Sequence, residues 1–208
     1  MSDDEFDSVY SEQVRSASFR HWTPVAVARR AAQLLTGVGG ATRILDVGAG
    51  PGKFCIVGAL TTAARFAGIE QRPSLVEAAA VAVERFGTDR ASVVHANMMD
   101  FDCTPFDGFY FFNPFRELVE LCDAYPIDRT IDTSVALFKT YIACAIANLL
   151  RASVGTSVVT FHGFGGRMPP QYRRVLSEQT HGGELALWVR APHSKRQSNG
   201  EFEARPVA

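Results

Sequence analysis

The chain has 208 residues, a net charge of −1, 47% hydrophobic and 21% charged residues. Those values fit one compact domain, alone or with short tails, large enough to bury a full core without covalent staples. They exclude a disordered chain, a collagen-like repeat and a disulfide-dense scaffold, and the lack of a basic stripe disfavours a stand-alone nucleic-acid binder.

The four cysteines, Cys55, Cys103, Cys122 and Cys144, are far apart in sequence and form no C-x-x-C pair, as expected of reduced thiols in a cytosolic protein. The acidic start MSDDEFDS has no apolar h-region, and no apolar stretch is long enough to span a bilayer, so the expected compartment is the cytoplasm, with no membrane partner. The five histidines show no ligand spacing, so no metal site is expected.

Residues 1–22 are polar and without clear periodicity, and read as an N-terminal arm or lid. His21-Trp22 either closes over the site or simply packs. Thr23 is placed as the N-cap of a helix over 25–35, with Pro24 in its first turn. Apolar residues there recur with a 3.6-residue period, and Gly37, Gly39 and Gly40 stop it. RILDV (43–47) is a buried strand running into the loop GAGPG, after which 53–64 forms a helix. A strand over 65–70 follows, then a helix from Pro73 closed by Gly87. Further strands fall over 92–96, 106–112 and 156–163, with a long helix over 133–152 before the last of them. A strand from Tyr172 and another over 184–191 join through His181-Gly182-Gly183 as a hairpin. Residues 192–208 read as a polar tail.

Strands alternating with helices imply βαβ units and a parallel sheet, and the closing hairpin adds an antiparallel strand near one edge. Within the glycine loop, Gly48, Gly50 and Gly52 alternate, which suits close approach of a ligand to the backbone. A dinucleotide fingerprint G-x-G-x-x-G would need glycine where Lys53 stands.

The segment ILDVGAGPGKF instead resembles motif I of class I S-adenosylmethionine (SAM)-dependent methyltransferases. That resemblance implies a Rossmann-like, seven-stranded, mostly parallel sheet with helices on both faces, over residues 23–191. It assigns SAM as cofactor, with Asp46, Gly48, Ala49, Gly50 and Gly52 at its methionine part. Glu70 ends the second strand at about the 20-residue spacing from which an acid reaches ribose hydroxyls. Asn97 and Met98 take the adenine positions of the family, with Asp100 as rival to Asn97. Asn113-Pro114-Phe115, at the end of the fourth strand, resembles motif IV of amino-group methyltransferases, in which the Asn orients the target amine. One proline stands where nucleic-acid enzymes of that kind carry two, and the triplet is close to the Asn-Asn-Phe of a lysine methyltransferase family. His162 ends the fifth strand, and a structural histidine is favoured there over a base. The cluster 109–112 reads as strand core, and the basic residues Arg167, Arg173, Arg174, Lys195 and Arg196 as a solvated face.

The expected function is methyl transfer to an amino nitrogen of a protein or small molecule, with nucleic acid disfavoured as acceptor. The alternatives are a non-catalytic SAM-binding scaffold and, further off, an NAD(P)-dependent oxidoreductase. No motif encodes the acceptor or the oligomeric state.

Overall fold

The computed structural model describes residues 1–119, 127 and 130–192. The expected tail over 192–208 lies outside the described residues from 193 onward, as do Cys122, His193, Lys195 and Arg196.

Seven strands form one sheet: β1 (Arg43–Val47), β2 (Arg65–Glu70), β3 (Ala91–His95), β4 (Gly108–Phe112), β5 (Ser157–Phe161), β6 (Tyr172–Thr180) and β7 (Gly183–Arg190). Their order is β3-β2-β1-β4-β5-β7-β6. The first five are parallel, and β7 runs antiparallel to both β5 and β6. The order reverses between β1 and β4. Open α/β sheets bind ligands beyond the carboxyl ends of the strands at such a switch point.

Alternation along the strands splits the core in two. On β4, Phe109 and Phe111 face Tyr141, Ala145 and Leu149 of α7 (Val135–Arg151). Tyr110 faces the opposite layer, built on α4 (Val25–Gln33) and α5 (Lys53–Thr61), where its ring stacks on Phe54 at 3.9 Å. α5 is buried from Lys53 through Ala59, including Gly58, where a Cβ would lie 2.4 Å from Phe66. α6 (Pro73–Phe86) buries Leu75, Ala79 and Ala82, a single helical stripe, and ends on left-handed Gly87. Ser134 caps α7 by accepting the Leu137 N–H at 3.0 Å.

The element boundaries differ from expectation for identifiable reasons. Thr23 does not cap α4, because it is buried and its hydroxyl meets that of Tyr110 at 3.1 Å. Pro24 holds the cap position, and Asp3 Oδ1 accepts the Val25 N–H at 2.8 Å instead. The helix also runs past Leu35 as a π turn to Val38, with Gly39 pressed against Ser157. α5 stops at Thr61, where Thr62 turns to extended backbone with its N–H and hydroxyl both bonded to Gly58 O. Residues 106–107 stay out of β4, since Asp107 accepts the Thr42 and Arg43 N–H groups and ties off the turn before β1. The β6–β7 connection is two residues long, His181 and Gly182, both at positive φ, the backbone a tight hairpin requires.

Residues read as a polar arm form three short helices, α1 (Asp3–Asp7), α2 (Glu12–Ser16) and α3 (Ser18–His21). A Ser2–Glu5 capping box starts α1, and the Ser11 hydroxyl caps α2. Phe6 is fully buried and stacks on Phe86 of α6 at 4.6 Å.

Candidate functional site

The loop over 48–52 leaves the end of β1 in the middle of the sheet, beside β2 and β4. The N–H groups of Gly48 and Ala49 both donate to Ile69 O at 3.0 Å, so the loop is strung along the end of β2. Gly48 and Gly50 are required by conformation and by space. Both have positive φ. A Cβ on Gly48 would lie 2.9 Å from Pro114, and one on Gly50 would lie 2.8 Å from the Trp22 ring. Gly52 opens α5, and Ala49 is buried.

Two carboxyl groups flank this loop. Asp46 lies on the α5 side of β1, 4% exposed, and accepts a weak bond from the Cys55 thiol at 3.7 Å. Burial pushes its carboxyl up to about 8, the Cys55 bond opposes that rise and the charge of Glu70 adds to it. Glu70 is 6% exposed. Its Oε2 accepts the Gly50 N–H at 3.0 Å, and its Oε1 accepts those of Gln71 and Arg72 at 2.9 and 3.0 Å. Burial raises the Glu70 carboxyl above its ordinary range, while the Arg72 N–H and guanidinium and the Gly50 N–H pull the other way. A carboxylate so placed anchors the loop and retains a lone pair on Oε2.

Asn97 follows β3 at the same end of the sheet. Its Oδ1 accepts the Met99 N–H at 2.9 Å, and its Nδ2 donates to Tyr141 Oη at 2.7 Å and to Gln71 Oε1 at 3.3 Å. The Tyr141 hydroxyl donates to Gln71 Oε1 at 2.9 Å, closing a triangle of side chains. Its amide is thereby fixed in its own loop. Met98 is buried, and Asp100 is exposed on the same turn.

Asn113 stands one residue beyond β4 at φ 42°, its N–H donating to Gly163 O at 3.0 Å and its carbonyl accepting from Arg116. Its side-chain amide is half-buried and forms no hydrogen bond among the described residues. Pro114 leans on Gly48, which joins the glycine loop to the fourth-strand loop across the switch point. Phe115 is buried and stacks on Tyr141 at 5.3 Å, so its ring belongs to the core beneath the loop. His162 is the register neighbour of Asn113 beyond the Phe112–Phe161 pair, and it too has positive φ, 56°. Its exposed ring packs on Phe161 and over Gly183, where no Cβ fits. Partial burial, then the charge of Arg116, lowers its imidazole below the ordinary value, favouring the neutral form.

Four contributors are set by long-range contacts rather than by a motif. Lys53 is 2% exposed, its Nζ 2.6 Å from Asp3 and 2.8 Å from Asp7, with Ser18 bonded to Asp7 and the Phe6 ring 5.5 Å away. Trp22 covers Gly50, donates its indole N–H to Val14 O, and lines a cavity of about 350 Å³ between the arm and α6. The Tyr10 hydroxyl donates to Pro51 O at 2.9 Å. The arm is thus fastened directly to the glycine loop. Arg72 is the fourth, buried between Glu70 and Glu117.

The fold is that of the class I SAM-dependent methyltransferases. An RNA methyltransferase from Salinibacter ruber, in complex with S-adenosylhomocysteine (SAH), superposes with a TM-score of 0.60 at 19% identity, over 84% of this chain and 96% of its own. An O-methyltransferase from Bacillus cereus, in complex with SAH, superposes with a TM-score of 0.60 at 16% identity, over 90% of each chain. No protein-family model and no curated protein matches the sequence. Among the described residues no group of three or more His, Cys, Asp or Glu side chains is placed to hold a metal, and no helix is long and apolar enough to cross a membrane.

Proposed function

We propose that this protein is a SAM-dependent methyltransferase with one domain over 23–191 and residues 1–22 as a lid on its cofactor loop. One observation carries the reading: the Gly48–Pro114 contact sets the glycine loop, bonded to Glu70, directly beside Asn113 at the switch point of the sheet. The residues fit the cofactor. The loop presents backbone with no room for Cβ atoms, Glu70 offers Oε2 to ribose hydroxyls, and Asp46 lies beneath the methionine side. Asn97 and Met98 bound the adenine side.

The cofactor supplies an electrophilic methyl group, so the chain needs no covalent intermediate. Its residues hold the acceptor in line and exclude water. Asn113 is suited to this for an amino nitrogen. Its free amide oxygen and the next carbonyl accept the amine hydrogens and aim the lone pair. Pro114 fixes the turn, and Phe115 anchors it in the core. The favoured acceptor is an amine on a protein or small molecule. The oxidoreductase reading is disfavoured by the antiparallel β7 and by Lys53, which is consumed in ion pairs with the arm.

Calorimetric titration with SAM and SAH, on the wild type and on Gly50→Arg, tests this. Micromolar binding that the variant loses is expected. A wild type that binds neither ligand, alone or with cell extract present, would overturn the reading. Transfer of labelled methyl from SAM into extract then separates the enzyme from a non-catalytic SAM-binding scaffold.

A further inference from the structure

Two carboxylates share one buried guanidinium. Arg72 is 5% exposed and grips Glu117 with both arms, Nη1 to Oε1 at 3.2 Å and Nη2 to Oε2 at 2.8 Å. The same Nη1 stands 3.7 Å from Glu70 Oε1, beyond hydrogen-bond length but within a strong electrostatic field. Glu117 belongs to the short 3-10 turn Arg116–Leu118, directly after Asn113-Pro114-Phe115. A second bridge runs in parallel: Phe115 stacks on Tyr141, whose hydroxyl donates to Gln71. Residues 70–72 therefore join the glycine loop through Gly50, the third-strand loop through Asn97, and the fourth-strand loop through Glu117.

We propose that Arg72 is a positioning residue that couples cofactor binding at Glu70 to the acceptor loop through Glu117, an inference that rests on the cofactor reading above. Glu117 accepts from both Nη atoms of the guanidinium, whereas Glu70 Oε1 stands 3.7 Å from Nη1 and feels its charge. Glu70 then stays aimed at the loop, with Oε2 open to ribose hydroxyls. Without the Glu117 charge the balance shifts, and Nη1 needs to move less than about an ångström to bond Glu70 Oε1. That bond draws the carboxylate toward the guanidinium and weakens Oε2 as an acceptor for ribose hydroxyls. By linkage, a cofactor that engages Glu70 holds Arg72 on Glu117 and tightens the turn beyond Asn113. The acceptor platform is thereby set when the cofactor is in place.

The test is SAH calorimetry on the full chain with Glu117→Gln, Glu117→Asp, Arg72→Gln and the Arg72→Gln/Glu117→Gln double variant. Glu117→Gln is expected to weaken SAH binding on the order of tenfold, although Glu117 does not touch the proposed cofactor site. Glu117→Asp, which keeps the charge, stays within about threefold of wild type. In the Arg72→Gln background the Glu117 substitution changes SAH affinity no further. Should Arg72→Gln fail to fold, Arg72→Lys replaces it, since it keeps the charge and loses the fork. SAH also slows amide exchange at Leu118 and Val119 in the wild type but not in Glu117→Gln. A merely structural ion pair would lower the melting temperature and leave SAH affinity unmoved. Equal SAH affinity in Glu117→Gln and wild type, or an equal loss in both backgrounds, overturns the coupling. Absence of SAH binding by the wild type instead removes the cofactor reading, and this inference with it.

Discussion

A methyl group at Gly50 would meet two obstacles, a left-handed φ of 54° and the Trp22 ring at 2.8 Å. Gly50→Ala is expected to cost about 1–3 kcal/mol in urea unfolding. Adding Trp22→Ala should recover only the part due to contact. Asp46 makes a prediction of a different kind. Its carboxyl stands at about 8 in the folded chain, against about 4 when unfolded. The native state therefore holds a proton that the unfolded chain releases. The contribution of this group is fully present below about pH 4 and is lost as pH climbs toward about 8. Melting temperatures between pH 6 and 8 should fall more steeply for the wild type than for Asp46→Asn. Parallel curves would mean that Asp46 is ionised throughout. Single residues also mark the limit of legibility. Asp46, Gly48, Gly50 and Glu70 announce themselves through a short motif at a strand end. Arg72 does not, because its meaning depends on Glu117, 45 positions away.

The strands and the longer helices were readable because each carries a local rule. α6 has its proline, its apolar stripe and its closing glycine, and β1 is a short apolar run before a turn. Errors fell where a distant group supplied what a local one was expected to give. Asp3 caps α4 in place of Thr23, and Asp107 shortens β4 by binding the turn before β1. The arm was opaque for the same reason. Its helices are too short for a period, and its acidic residues make sense only once Lys53 is seen buried between them. Lys53→Ala, which leaves Asp7 buried without its cation, should cost about 3–5 kcal/mol in chemical denaturation. Asp3→Ala, at a carboxylate 45% exposed, should cost about 1–2 kcal/mol through the lost cap and the weaker pair. If the two variants are equal, the buried pair is not what fastens the arm.

For the whole molecule, alternation on β4 between two cores fixes the sheet, and the sheet brings four loops to one end. That architecture was legible from strand and helix spacing, with the strand order supplied by resemblance. The long-range pairs that stiffen the site were not, because charge pairing across the chain leaves no periodic trace. A ligand seated among those loops should stabilise the whole chain. SAH at 100 times its dissociation constant adds about 2.7 kcal/mol, and the melting temperature should rise by about 5–10 °C. The rise should keep growing with the logarithm of SAH concentration, and no rise would speak against a specific site. The stacking of Phe6 on Phe86 has a consequence for biosynthesis. The arm leaves the ribosome well before α5 and α6, the two elements it docks on. Its apolar side chains, Phe6, Tyr10 and Trp22, must wait in the open until that surface exists. The arm is thus bound to settle late, and translation speed between its codons and those of α6 should affect soluble yield more than changes after β5.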